Sequence, residues 1–138
     1  MTTLIVDASA AASWLLASQA TRSALDILDR LDTFDLMAPH IFQWEIGNLL
    51  VRQARRDAGF DLQGALTLLD DFDIALAAPW ERSDLRQLCL FAASRGLSLF
   101  DASYLWLAMA VDASVASRDG GLLDAVNAAG LPVFDLPG

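Results

Sequence analysis

A chain of 138 residues, 55% of them hydrophobic, is long enough for a single domain over residues 1–138 with its own buried core, and no apolar run reaches the ~18 to 20 residues that cross a bilayer. Nine basic against eighteen acidic side chains, a formal net charge of −9, argue against nucleic-acid binding by bulk charge but leave room for a local basic strip. One cysteine, one histidine and no lysine exclude an intrachain disulfide, thiolate or multi-imidazole zinc sites and lysine chemistry; a Ser-His-Asp triad would rest entirely on His40.

The chain opens on the strand-like Thr2-Thr3-Leu4-Ile5-Val6 rather than on a basic start and an apolar leader, so a cytoplasmic protein without a membrane role is expected. Periodicity and breakers then predict helices near 9–17 and 21–32, a strand near 35–38, and helices near 41–57 and 61–72. A strand near 73–78, helices near 81–94 and 101–111, a strand near 113–117, a helix near 120–129 and a strand near 132–135 follow. Gly59, Gly96 and Gly130 fall where helices should close. Short apolar strands alternating with helices imply an α/β fold with a parallel sheet covered on both faces. Cys89, among Leu88, Leu90 and Phe91, is expected to be a buried spacer. The triplet Asp-Ala-Ser at 7–9, 101–103 and 112–114 has a different setting each time and is read as coincidence, not duplication.

Four carboxylates carry the chemistry. Asp7 ends an apolar run and should project from the carboxyl end of a strand, where open α/β sheets bind ligands, although Asp before Ala-Ser-Ala-Ala also suits a helix cap. Asp119 repeats that setting after Val115-Ala116-Ser117, with the same two readings. Glu45 interrupts a helix that is apolar around most of its circumference and needs a partner there: a site, or an ion pair with Arg52 or a more distant arginine. Asp101 opens an apolar helix as a cap or as a ligand. With no lysine or histidine cluster to neutralise them, a hard divalent cation would do so, and Mg²⁺ suits a few carboxylates with open positions for a phosphate substrate.

The chain resembles the PIN-domain family, and within it the VapC toxins of bacterial toxin-antitoxin pairs. The resemblance rests on Leu4-Ile5-Val6-Asp7-Ala8-Ser9, on Ala38-Pro39 with Glu45-Ile46-Gly47-Asn48-Leu49-Leu50, on Leu99-Phe100-Asp101-Ala102-Ser103-Tyr104, and on Ser117-Arg118-Asp119-Gly120-Gly121-Leu122, in that order along nearly the whole chain. It implies a three-layer fold with a central parallel sheet of about five strands in the order 3-2-1-4-5, which would set Asp7 opposite Asp119. It also implies Mg²⁺- or Mn²⁺-dependent endoribonuclease activity. Asp7 and Asp101 would be the principal metal ligands, Glu45 and Asp119 would complete the cluster, and Ser9 would orient Asp7 or a water. The implied partners are an RNA substrate, a second copy of the chain in a homodimer, and a cognate VapB-like antitoxin inserting near the acids. A receiver domain or a haloacid-dehalogenase-like phosphatase would want further acids and a lysine that this chain lacks.

The alternatives are a PIN-like module that binds RNA or protein without cutting, and a PIN nuclease of RNA maturation. Arg52 and Arg56 fall on nearly the same helix face as Glu45 and are candidate contacts to flanking phosphates. Trp14, Phe42, Trp44 and Trp106 are many large rings for so small a chain, and some are expected to meet a partner.

Overall fold

Leu4, Ile5 and Val6 are completely buried, as a strand covered on both faces requires, and they form the centre of the computed structural model, which describes residues 2–20 and 24–134. The elements in order are β1 (Thr2–Val6), α1 (Ala8–Ala20), α2 (Ala24–Leu31), β2 (Phe34–Ala38), α3 (Phe42–Arg56), α4 (Leu62–Asp71), β3 (Ala75–Leu76), a short 3₁₀ turn (Arg82–Asp84), α5 (Leu85–Arg95), α6 (Leu99–Val111), β4 (Ser114–Ala116), α7 (Gly120–Ala128) and β5 (Val133–Phe134). The five strands form one sheet in the order β3-β2-β1-β4-β5, parallel throughout. The order reverses between β1 and β4, where Leu4 pairs with Ser114, Ile5 with Val115 and Val6 with Ala116. The loops leaving these two strands therefore flank the position at which such sheets bind ligands.

The helices pack in two groups: α1 against α2, α3 and α4, and α6 against α5 and α7 as well as β1 and β4. The core draws on α1 through Trp14 and Leu15, on α3 through Phe42, Ile46 and Leu50, on α6 through Tyr104, Leu105 and Ala108, and on α7 through Leu122 and Val126. A smaller cluster gathers Leu88, Ala92 and Ala102 with the rings of Trp80, Phe91 and Trp106, which meet edge to face.

Several expectations need correction. The strand near 73–78 shrinks to Ala75–Leu76, both exposed, a short edge that offers little template for pairing with another chain. The helix near 101–111 begins two residues earlier, because Ser98 caps it by accepting the amide of Asp101. The expected helix near 81–94 is split, its first residues forming the 3₁₀ turn. Residues 21–23 and 135, placed in elements by the sequence, lie outside the described residues. Gly96 and Gly130 close α5 and α7 with φ of 67° and 78°. In each case the next residue bonds back to the last turn, Leu97 to Ala92 and Leu131 to Val126. Gly59 does not close α3, whose cap is Asp57. Cys89 is exposed, because α5 turns the face of Leu88 and Ala92 inward and position 89 lies about 100° round from it.

Candidate active site

Asp7 follows β1 directly and continues its pairing, its amide donating to the Ala116 carbonyl at 3.0 Å. Its carboxylate is almost wholly buried, 4% exposed, and is held from three sides. Oδ1 accepts the Ser9 hydroxyl at 2.7 Å and the Ala10 amide at 2.9 Å, while Oδ2 accepts the Ser117 hydroxyl from the end of β4. Ser117 Oγ in turn accepts the Asp119 amide at 2.9 Å, and Ser9 Oγ accepts the Arg118 amide at 2.9 Å. Two serines thus bind the β1 and β4 loops together across the sheet's switch point. The capping reading of Asp7 holds alongside the site reading, since Oδ1 closes the first turn of α1. Asp119 likewise caps α7 through the Gly121 amide at 2.9 Å.

Glu45 reaches the same place from the first turn of α3, and Asp101 from the first turn of α6. The buried Tyr104, one turn beyond Asp101, donates its hydroxyl to Glu45 Oε1 at 2.7 Å. A half-buried glutamate in an apolar helix is thereby paired with a phenol rather than with an arginine. Asp7, Ser9, Glu45, Asn48, Arg52, Asp101, Tyr104 and Asp119 line one cleft of about 210 Å³.

Electrostatics within the cleft are repulsive. Burial pushes the Asp101 carboxyl up to about 6, reinforced by a hydrogen bond shared with Asp119 and by the charges of Asp119, Asp7 and Glu45. Burial also raises Asp7 and Glu45, against the hydrogen bonds that favour their ionised forms. Tyr104 is pushed upward by burial and by its bond to Glu45, which keeps it a proton donor. Among the described residues, no arginine is among the groups that shift Asp7, Glu45 or Asp101.

A family model for the PIN domain matches residues 4–128. The chain belongs to the PIN domain family. PIN domains are generally nucleases, and they generally bind divalent metal ions. The fold is also that of the protein in the crystal structure of PAE2754 from Pyrobaculum aerophilum, which is 22% identical and superposes with a TM-score of 0.63 over 90% of this chain and 86% of that one. No curated protein matches.

All four acids anticipated from the sequence of this PIN domain meet in the cleft. Ser9 lies beside them, bonded to Asp7. Arg52 lines the cleft as well as a neighbouring hollow, whereas Arg56 lines only that hollow. The sequence does not mark Tyr104 or Ser117 as site residues. The only local signal for Tyr104 is its spacing of three from Asp101, and Ser117 reaches Asp7 solely through the pairing of β4 with β1. Among the described residues, no group of three or more His, Cys, Asp or Glu side chains is arranged to hold an ion by itself. The donor chemistry nevertheless fits a hard cation of the Mg²⁺ type, which binds through one or two carboxylates and keeps several waters. The cleft's lining offers oxygen donors and no histidine or cysteine, a set that suits that ion better than zinc.

Proposed function

We propose that this PIN domain is a Mg²⁺- or Mn²⁺-dependent endoribonuclease that hydrolyses RNA phosphodiester bonds, acting as the toxin of a VapBC-type toxin-antitoxin pair. One observation carries the reading: Asp7, Glu45, Asp101 and Asp119 line a single cleft at the switch point. Asp7 and Asp101 would hold the cation, with Glu45 and Asp119 completing the acidic set directly or through water. When bound, a divalent cation polarises a phosphoryl oxygen and makes a water more acidic. The chain's own residues do the rest. Ser9 and Ser117 fix the Asp7 carboxylate in one orientation, and Tyr104 does the same for Glu45. Burial of the cleft strengthens every charge interaction within it. A cognate VapB-like antitoxin and a second copy of the chain are the proposed partners, and a cytoplasmic location goes with them. Among the described residues, no helix is long and apolar enough to cross a membrane.

The test pairs thermal melts, in EDTA and in millimolar Mg²⁺ or Mn²⁺, with an assay of structured RNA. The cation should raise the melting temperature of the wild-type protein by linkage and permit cleavage. Asp101→Asn should abolish the metal-dependent rise and reduce cleavage by orders of magnitude. Wild-type rates from Asp101→Asn would sink the metal-site reading, and RNA binding by the wild-type chain without cleavage under either metal would favour the non-cutting module. The toxin assignment predicts a small antitoxin-like reading frame beside the gene.

A further inference from the structure

Three of the chain's nine basic residues, Arg52, Arg55 and Arg56, fall within five positions of α3, and all three are exposed. With Leu49 they line a hollow of about 330 Å³. Leu49 and Arg52 also line the acidic cleft, so the hollow adjoins it. At 3.6 residues per turn, Arg52 and Arg56 lie within about 20° of the face of Glu45, roughly 10 and 16 Å further along the axis, with Arg55 on the flank. Arg56 Nη2 donates to Gln53 Oε1 at 3.2 Å.

We infer that Arg52, Arg55 and Arg56 form a phosphate-binding ledge that carries an extended single strand out of the cleft along α3 toward its carboxyl end. The inference rests on the nuclease reading only for what the cleft does. Basic residues in the last turn also suit the helix dipole, which accounts for Arg55 and Arg56 taken alone. The dipole does not account for Arg52, a turn further in and on the cleft wall. Guanidinium forks match phosphate oxygens, and in a chain of net charge −9 a concentrated local strip is the way to hold a polyanion. The three arginines form one row along one helix, which matches the phosphates of one backbone, so a single strand suffices to occupy the ledge.

Fluorescence anisotropy of labelled oligouridylates, about three and about twelve nucleotides long, in EDTA so that nothing is cut, tests the ledge. Three phosphates neutralised at about 0.7 each give the longer oligomer a log–log salt slope near −2, roughly a twenty-fold loss of affinity between about 50 and about 200 mM salt. The variant with Arg52→Gln, Arg55→Gln and Arg56→Gln should lose about two units of slope and most of the gain from length. The corresponding Arg→Lys variant should keep the slope. Glutamine has nearly the helix propensity of arginine, and if the triple variant fails to fold, Arg55→Gln alone should lose about 0.7. A slope unchanged from wild type overturns the ledge and leaves these arginines to a protein partner. If the wild-type chain cuts no RNA under either metal while the triple variant loses its slope, the nuclease reading fails and the ledge stands. If wild type cuts and the slope is unchanged, the ledge alone falls.

Discussion

Asp7 accepts hydrogen bonds from Ser9, Ala10 and Ser117, so one carboxylate lines the cleft, closes the first turn of α1 and ties it to β4. That combination explains why capping and site readings could not be separated from the sequence: both describe the same oxygen atoms. Glu45 differs, since an acid in an apolar helix announces an unmet need but not who meets it. The answer, Tyr104, lies 59 positions away, and the sequence offers it as one more large residue of an apolar helix. Tyr104→Phe removes the hydroxyl and leaves Glu45 half-buried without that donor. A hydrogen bond to a charged group contributes about 1.5 to 3 kcal/mol, so the metal-free variant should melt several degrees lower. With Glu45 no longer held, RNA cleavage should fall as well, while Phe keeps the packing of the ring. An unchanged melting temperature and cleavage rate would show that the Tyr104 bond positions nothing.

At the scale of elements, α3 carries three functions on three faces. Phe42, Ile46 and Leu50 recur every four residues and are buried. Glu45 and Arg52 share the cleft side, and Trp44 and Val51, seven residues apart, stand out at 66% and 43% exposure. The inward face was legible from period alone. The fate of the rings was legible only in part: Trp14 and Phe42 are core, Trp106 packs with Trp80 and Phe91, and Trp44 alone of the four is left to solvent. Aromatic content signals burial without saying whether the cover comes from the same chain. The sheet order followed from the resemblance, whereas the length of β3 did not, because a two-residue parallel edge is set by its pairing with Met37 and Ala38 rather than by its own residues. The exposed stripe of α3 is where the proposed homodimer would meet. Sedimentation at micromolar concentration should find a dimer for the wild-type chain and a monomer for Trp44→Ser, with the fold kept because that ring is not in the core. A dimer that survives Trp44→Ser places the interface elsewhere, and a monomeric wild type removes it.

For the molecule as a whole, the acidic cluster links folding to pH and to metal. In the folded protein Asp101 holds its proton up to about 6, against an ordinary value of 3.8, and Asp7 and Glu45 shift in the same direction. A folded state that binds protons more tightly than the unfolded chain gains stability as pH falls through the folded pKa. The penalty for holding Asp101 ionised is therefore complete above about pH 6 and is relieved between that value and about 4. Asp101 is partly open to solvent, so screening limits the effect to a few degrees of melting temperature. Comparison with Asp101→Asn isolates the contribution of Asp101 from that of the other carboxylates. In EDTA the variant should melt above wild type at neutral pH, and the difference should close as pH drops from about 6 to about 4. Mg²⁺ should act with the opposite dependence, stabilising wild type most above pH 6 and progressively less below it, because protons and cation compete for the same oxygens. Parallel wild-type and Asp101→Asn curves across that range in EDTA would mean that the four acids do not share a common field, whatever cleft they line.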